Sequence, residues 1–264
     1  MRYFLHLSYV GTQYAGWQRQ SNAKLPSVQG VIESCLSKMT ANDITIMGCG
    51  RTDAGVHAMQ YFAHFDFEGI WTYDPVERLN KMLPADIRIY DMVAVEPRAH
   101  SRYDAISRSY EYYFHTDQNA YLYPYSSYFG SLELDLEMIQ CGLESIKSMT
   151  DFRYLCFTPD RLNTTICNMN EAHLICGPDR HLFCFHFTAN RFLKSMIRIV
   201  VSRLLHLGTG KMNFEEFESI NHGKSKLRFP TLAYPQGLHL SAIRYPYLEL
   251  PSKNIFFRST NWSL

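Results

Sequence analysis

The chain has 264 residues, 46% of them hydrophobic and 19% charged, with a formal net charge of +1, which excludes a disordered polymer and gives no sign of a strongly basic or acidic protein. Its length allows one large domain or two of ordinary size, since domains run to about 100–200 residues. No run approaches the ~20 apolar residues of a membrane span, and Met1-Arg2 leads straight into Tyr3-Phe4-Leu5 without the apolar core of an export signal, so a cytoplasmic protein is expected.

Tyr3, Leu5, Leu7 and Tyr9 recur with the period of a half-buried strand. Val28, Val31, Ile32, Cys35, Leu36 and Met39 follow at helical spacing behind Ser27, a good N-cap. Residues 44–47 form a short strand and 59–67 alternate again. Asp74-Pro75-Val76-Glu77 then offers a cap, a proline at the first helical position and a carboxylate able to reach back, opening a helix that ends before Pro84. Residues 87–95 are the last strand of a β-α-β-β-α-β order, the ferredoxin-like arrangement.

The second half repeats that order more loosely. Strand patterns cover 109–115, 165–175, 181–189 and 238–245, with helical patterns at 134–146 and 192–207. A tyrosine-rich loop at 121–129 and an insertion around 214–230 are additional. The expected fold is α+β: two ferredoxin-like lobes, 1–104 and 105–264, dividing near Asp104. Antiparallel sheets with helices on one face would leave the other face and a cleft between the lobes for a ligand.

Seven cysteines, odd in number and never spaced Cys-x-x-Cys, suggest neither a disulfide framework nor a zinc site. They read as reduced thiols, mostly buried. Residues 191–228 carry eight Lys or Arg against three Glu, a local excess that suits a phosphate-bearing partner or simply a solvated helix face. On a helical wheel Arg191, Lys194 or Ser195, Arg198, Ser202 and His206 share one stripe, opposite Phe192, Met196, Ile199, Val200 and Leu204.

Between two strand patterns lies Gly50-Arg51-Thr52-Asp53-Ala54-Gly55-Val56-His57-Ala58. Its glycines allow positive φ or close backbone approach, and Arg51 and Asp53 are two residues apart. A lone Arg-x-Asp in a loop is ordinarily a turn whose aspartate caps local backbone groups. The nine-residue string as a whole resembles the signature of the tRNA pseudouridine synthase A (TruA) family. Four further segments resemble that family in order: Tyr9-Val10-Gly11 leading to Gly16-Trp17-Gln18-Arg19-Gln20, Ala99 to Ala105 running into Arg108-Ser109-Tyr110-Glu111-Tyr112, Asn190-Arg191-Phe192-Leu193 through Met196-Ile197-Arg198, and Gly237-Leu238-His239-Leu240.

The resemblance implies a homodimeric isomerase that converts uridine to pseudouridine in the anticodon stem-loop of tRNA, on its 3′ side at positions 38–40. It implies Asp53 as the catalytic carboxylate, Tyr110 stacked on the uracil near its C5 proton, Arg198 holding Asp53 ionised and aimed, and Arg51 helping to displace the base. Arg19, Arg102, Arg191 and Lys194 are candidates for contact with the RNA. An isomerisation calls for no metal, nucleotide or redox cofactor, whereas cleaving a bond at an anomeric carbon does call for a carboxylate. Val10, Tyr234 and Asn163 depart from the family pattern and bear on which uridine is modified. The alternative is a catalytically silent RNA-binding module, since ferredoxin-like sheets bearing aromatics also stack on bases. A carboxylate-pair hydrolase lacks a suitably placed second carboxylate in the motif.

Overall fold

The computed structural model describes residues 1–21, 23–130, 133–224 and 231–251. The chain forms two compact units. One holds Met1–Ile106 with the described chain from His239 onward, and the other is Ser107–Leu238. The expected division near Asp104 assigned all of 105–264 to the second lobe; the contacts divide the chain after Ile106 and return the stretch from His239 to the first unit.

In the first unit, β1 (Arg2–Tyr9) lies between β3 (His57–Asp66) and β4 (Ile87–Val95), antiparallel to both. The short β2 (Met47–Gly48) pairs antiparallel with the far side of β3. Residues 44–46, expected as strand, stay outside this ladder; Ile46 instead donates its N–H to the buried carboxylate of Glu33 at 3.0 Å. Helix α1 (Val28–Thr40) starts where Ser27 Oγ accepts from the Gly30 N–H, and α2 (Pro75–Met82) starts where Asp74 accepts from the N–H groups of Val76 and Glu77. Glu77 does not reach back to the cap; it pairs with Lys81 one turn on, at 2.5 Å. The Asn80 side chain exchanges two hydrogen bonds with the Ile89 backbone, docking α2 on β4.

Alternation along β1 and β3 sends Leu5, Leu7, Tyr61 and Ala63 to one face and Phe4, His6, Phe62 and His64 to the other. The second face, expected to be free for a ligand, is covered. Tyr245 packs edge-on to Phe4 and Phe62, its hydroxyl bonds the Ser101 carbonyl, and Ser101 meets His64. Gln60 accepts from the Ile243 N–H and donates to the Leu250 carbonyl. These buried bonds tie the chain after Leu238 to the first unit. There β9 (Leu238–Arg244) pairs parallel with β3 at His57↔His239 and Ala58↔Leu240.

In the second unit β8 (Leu182–Ala189) lies between β5 (Ser107–His115) and β7 (Met169–Cys176), antiparallel to both. The two-residue β6 (Ser127–Tyr128), inside the tyrosine-rich loop, runs parallel to the end of β5. Phe114, Phe183, Phe185 and Phe187 build the core with Leu143 and Ile146 of α3 (Leu136–Ser148), Val200 and Leu204 of α4 (Met196–Gly208) and Phe217 of α5 (Phe214–Asn221). The strand expected from Thr165 starts at Met169, because the Thr165 hydroxyl bonds Asp151 at 2.5 Å and keeps that stretch in a loop. Residues 225–230 of the expected insertion lie outside the described residues.

The second helix of this unit starts at Met196, four residues later than the periodicity suggests. Ser195 takes a left-handed conformation, φ 60°, which α-helix cannot continue through. Arg191 and Lys194 therefore precede the helix and do not share its stripe with Arg198. The polar stripe of α4 is not left to solvent: Ser202 and Arg203 are buried along with its apolar residues, and Arg198 and His206 are half-buried. Among the described residues, no helix is long and apolar enough to cross a membrane.

Candidate active site

Asp53 occupies a turn between β2 and β3 in the first unit, half-buried. Its carbonyl accepts from the Val56 N–H at 3.2 Å, and Gly55 has the positive φ, 77°, that the third position of such a turn demands. The turn is held from beneath by the segment following β1. The Trp17 N–H donates to the Thr52 carbonyl at 3.2 Å, and the Tyr9 and Thr52 hydroxyls meet at 2.8 Å in the interior. Trp17 stacks on Tyr61 with centroids 4.0 Å apart.

Two glycines in that segment are required by close approach. A Cβ on Gly11 would fall 2.0 Å from the Val56 carbonyl oxygen, and one on Gly16, whose φ is 100°, would fall 2.4 Å from the Thr52 carbonyl oxygen. The Gly11 N–H donates to His57 Nδ1 at 3.1 Å, so the neutral ring carries its proton on Nε2. The register of β1 against β3 shifts between Leu7 and Tyr9, a bulge that turns Tyr9 toward Thr52. The first two motif segments in the sequence are thus one structure: residues 9–17 form the bed on which residues 50–57 lie.

Arg51 is exposed at the start of the same loop. Arg19 is also exposed and lies 3.3 Å from Glu33, whose carboxylate is buried against Ile46. Arg102 is exposed, its guanidinium 5.8 Å from the Tyr103 ring centre.

The other candidates belong to the second unit. Tyr110 is half-buried on β5 opposite Phe187, and its ring meets Phe192 edge-on at 5.1 Å. Arg198, in the first turn of α4, donates from Nε to the Ala233 carbonyl at 2.7 Å while the Ala233 N–H returns a bond to the Arg198 carbonyl at 3.1 Å. Arg191 is half-buried and Lys194 exposed. Of the remaining residues in the basic run, Arg203 is no surface cation: it is 6% exposed, bonded to Asn221 and the Tyr154 carbonyl, and burial lowers its pKa to about 10. Lys226 and Arg228 lie outside the described residues.

All seven cysteines are free thiols, four of them buried, and among the described residues no group of three or more His, Cys, Asp or Glu could hold a metal ion. Burial pushes the Cys156, Cys167 and Cys184 thiols up from their ordinary value, so they remain protonated. Sequence reasoning missed Tyr9, Thr52 and Tyr112 as supports of the candidate residues. Tyr112 had a usable signal, being a tyrosine two places beyond Tyr110 on one strand face.

Comparison with known proteins places these features in a family. The family described as tRNA pseudouridine synthase matches residues 7–104 and 149–246. The chain is 36% identical over 250 residues to tRNA pseudouridine synthase A of Porphyromonas gingivalis, covering 93% of this chain and 97% of that protein. It is 36% identical over 250 residues to the protein of the same name from Bacteroides thetaiotaomicron, covering 93% and 91%, and 33% identical over 244 residues to that of Aquifex aeolicus, covering 91% and 98%.

Proposed function

The chain belongs to the tRNA pseudouridine synthase family, and from that premise we propose how its residues divide the work. The enzyme isomerises uridine to pseudouridine in tRNA. The bond from uracil N1 to the anomeric carbon breaks, the base turns, and a bond forms from C5 to the same carbon. The C5 proton leaves and N1 finishes with a hydrogen, so the reaction balances without another reactant. Asp53 is the carboxylate that serves the electron-poor anomeric carbon, by adding to it or by removing the 2′ proton to give a glycal. Tyr110 stacks on the uracil, Arg198 orients Asp53, and Arg51 assists the displaced base.

The observation that carries this reading is the construction of the Asp53 turn. A carboxylate that merely capped a loop would not need two glycines packed against its neighbours' carbonyls and a buried Tyr9–Thr52 pair beneath it. The target uridines are those on the 3′ side of the anticodon stem and loop, and the working form is a cytoplasmic homodimer; both follow the family likeness. A uridine paired in a stem must leave its stack at a cost of a few kcal/mol, for which Arg19, Arg102, Arg191 and Lys194 supply backbone contacts.

The test is release of tritium from tRNA carrying C5-tritiated uridine. The wild type releases it and Asp53→Asn does not. Binding of tRNA with no release by the wild type would return the chain to a silent RNA-binding module, and free uracil would mark a hydrolase. A primary isotope effect with 2′-deuterated uridine distinguishes the glycal route from addition, and mapping pseudouridine in tRNA identifies the position modified.

A further inference from the structure

Tyr112 has no part in the roles above, yet it belongs to one motif segment and lies against Gly237 of another. Its ring is 0% exposed, and its hydroxyl lies 3.0 Å from the Tyr234 carbonyl oxygen and 2.9 Å from Ser127 Oγ. A carbonyl only accepts, so Tyr112 donates its single proton to Tyr234 and Ser127 donates to Tyr112. Burial pushes the phenol well above its ordinary value, which keeps that donor in place at any working pH.

The residue before Tyr234 is Ala233, whose carbonyl accepts from Arg198 Nε at 2.7 Å. One helical turn along α4, Ser202 Oγ meets Thr231 Oγ1 at 2.7 Å. Residues 231–234 are therefore a strap along the helix, fastened at Ser202, at Arg198 and, at its far end, by Tyr112. Gly237 closes over this point. A Cβ there would fall 2.6 Å from Ser127 Oγ, 2.9 Å from Tyr112 Cζ and 2.5 Å from the Tyr113 carbonyl oxygen, so any side chain would displace the network. Tyr112 also shares a strand face with Tyr110, two residues earlier on β5.

From this geometry we infer that Tyr112 is a positioning residue for the isomerisation: its hydroxyl fixes the Ala233–Tyr234 carbonyls, and these fix the plane of the Arg198 guanidinium. A core aromatic needs only its ring, whereas this site is built around the oxygen. The inference rests on the role proposed for Arg198.

Tyr112→Phe keeps the ring and removes the hydroxyl. We expect kcat for tritium release to fall about fivefold to tenfold, the scale of one buried hydrogen bond, with KM for tRNA changed less than about twofold. In an Arg198→Lys background the same change should cost less than about twofold, because the guanidinium it aligns is gone. Unchanged kcat, a change confined to KM, or losses that multiply in the double variant overturn the inference. If Arg198→Lys alone turns over like the wild type, the role of Arg198 itself fails and takes this inference with it. Should Tyr112→Phe not fold, Ser127→Ala removes the donor to the same oxygen. It should lower kcat about twofold to threefold with the same non-additivity, and full additivity there counts against the inference.

Discussion

Asp53 rides on a loop shaped by backbone atoms, whereas Arg198 rides on a helix and is aligned by a strap that side-chain hydroxyls fasten. The loop lies so close to residues 9–17 that single missing carbons, at Gly11 and Gly16, decide whether it fits. The strap depends on the Ser202–Thr231 and Tyr112–Tyr234 bonds, which conservative exchange can remove one at a time. Backbone packing tolerates no added atom, because a carbonyl cannot rotate away as a side chain can. Hydrogen bonding by side-chain hydroxyls degrades gradually. The two halves of the proposed chemistry should therefore fail in different ways.

The largest expected effect is at the first. Gly16→Ala adds a Cβ 2.4 Å from the Thr52 carbonyl and forces a side chain into left-handed φ. It should cut tritium release by more than about a hundredfold and destabilise the first unit by roughly 2–4 kcal/mol, read from thermal and urea unfolding. A variant with near wild-type activity would break the contrast.

Acid should act next, through His64. Buried beside His100, it has its pKa lowered to about 4 from an ordinary 6.5, so the unfolded chain binds the extra proton first as pH falls. Its contribution is complete above about pH 6.5 and is lost between there and about pH 4. Unfolding free energy should therefore fall by up to about 1.4 kcal/mol per pH unit across that window for this one group. His64→Gln should flatten the profile, and an unchanged slope would reject the assignment.

Thr52→Val removes one partner of the buried Tyr9–Thr52 pair and should cost about 1–2 kcal/mol in urea unfolding. The smallest effect is expected at the strap. Thr231→Val should lower stability by about 1 kcal/mol and kcat about twofold to threefold, while Thr231→Ser, which keeps the hydroxyl, should restore both. Equal behaviour of the two Thr231 variants would show that the hydroxyl bond to Ser202 does not fasten the strap.

Much of the fold was legible because its signals are local. Alternation marked β1 and β4, and Ser27 and Asp74 started α1 and α2 as caps should. Where the pattern misled, a single tertiary contact had outvoted it. Periodicity ran the last long helix back to Phe192, but a left-handed Ser195 stops it at Met196 and leaves Arg191 and Lys194 outside. Positive charge at Arg203 read as surface, yet Asn221 and the Tyr154 carbonyl hold it inside. The covering of one sheet face by Tyr245 and Ser101 was invisible, since it joins residues more than a hundred positions apart.

The sequence by itself determined the β-α-β-β-α-β order, the caps and the family, because propensity, periodicity and a nine-residue string are properties of neighbours along the chain. Tertiary structure alone decided that the chain after Leu238 returns to the first unit, that Gly11 and Gly16 exist to let the Asp53 loop settle onto them, and that Tyr112 reaches the strap beside Arg198. Each of these depends on atoms brought within hydrogen-bonding or van der Waals distance by folding, and no pattern along the chain encodes a distance between residues that far apart.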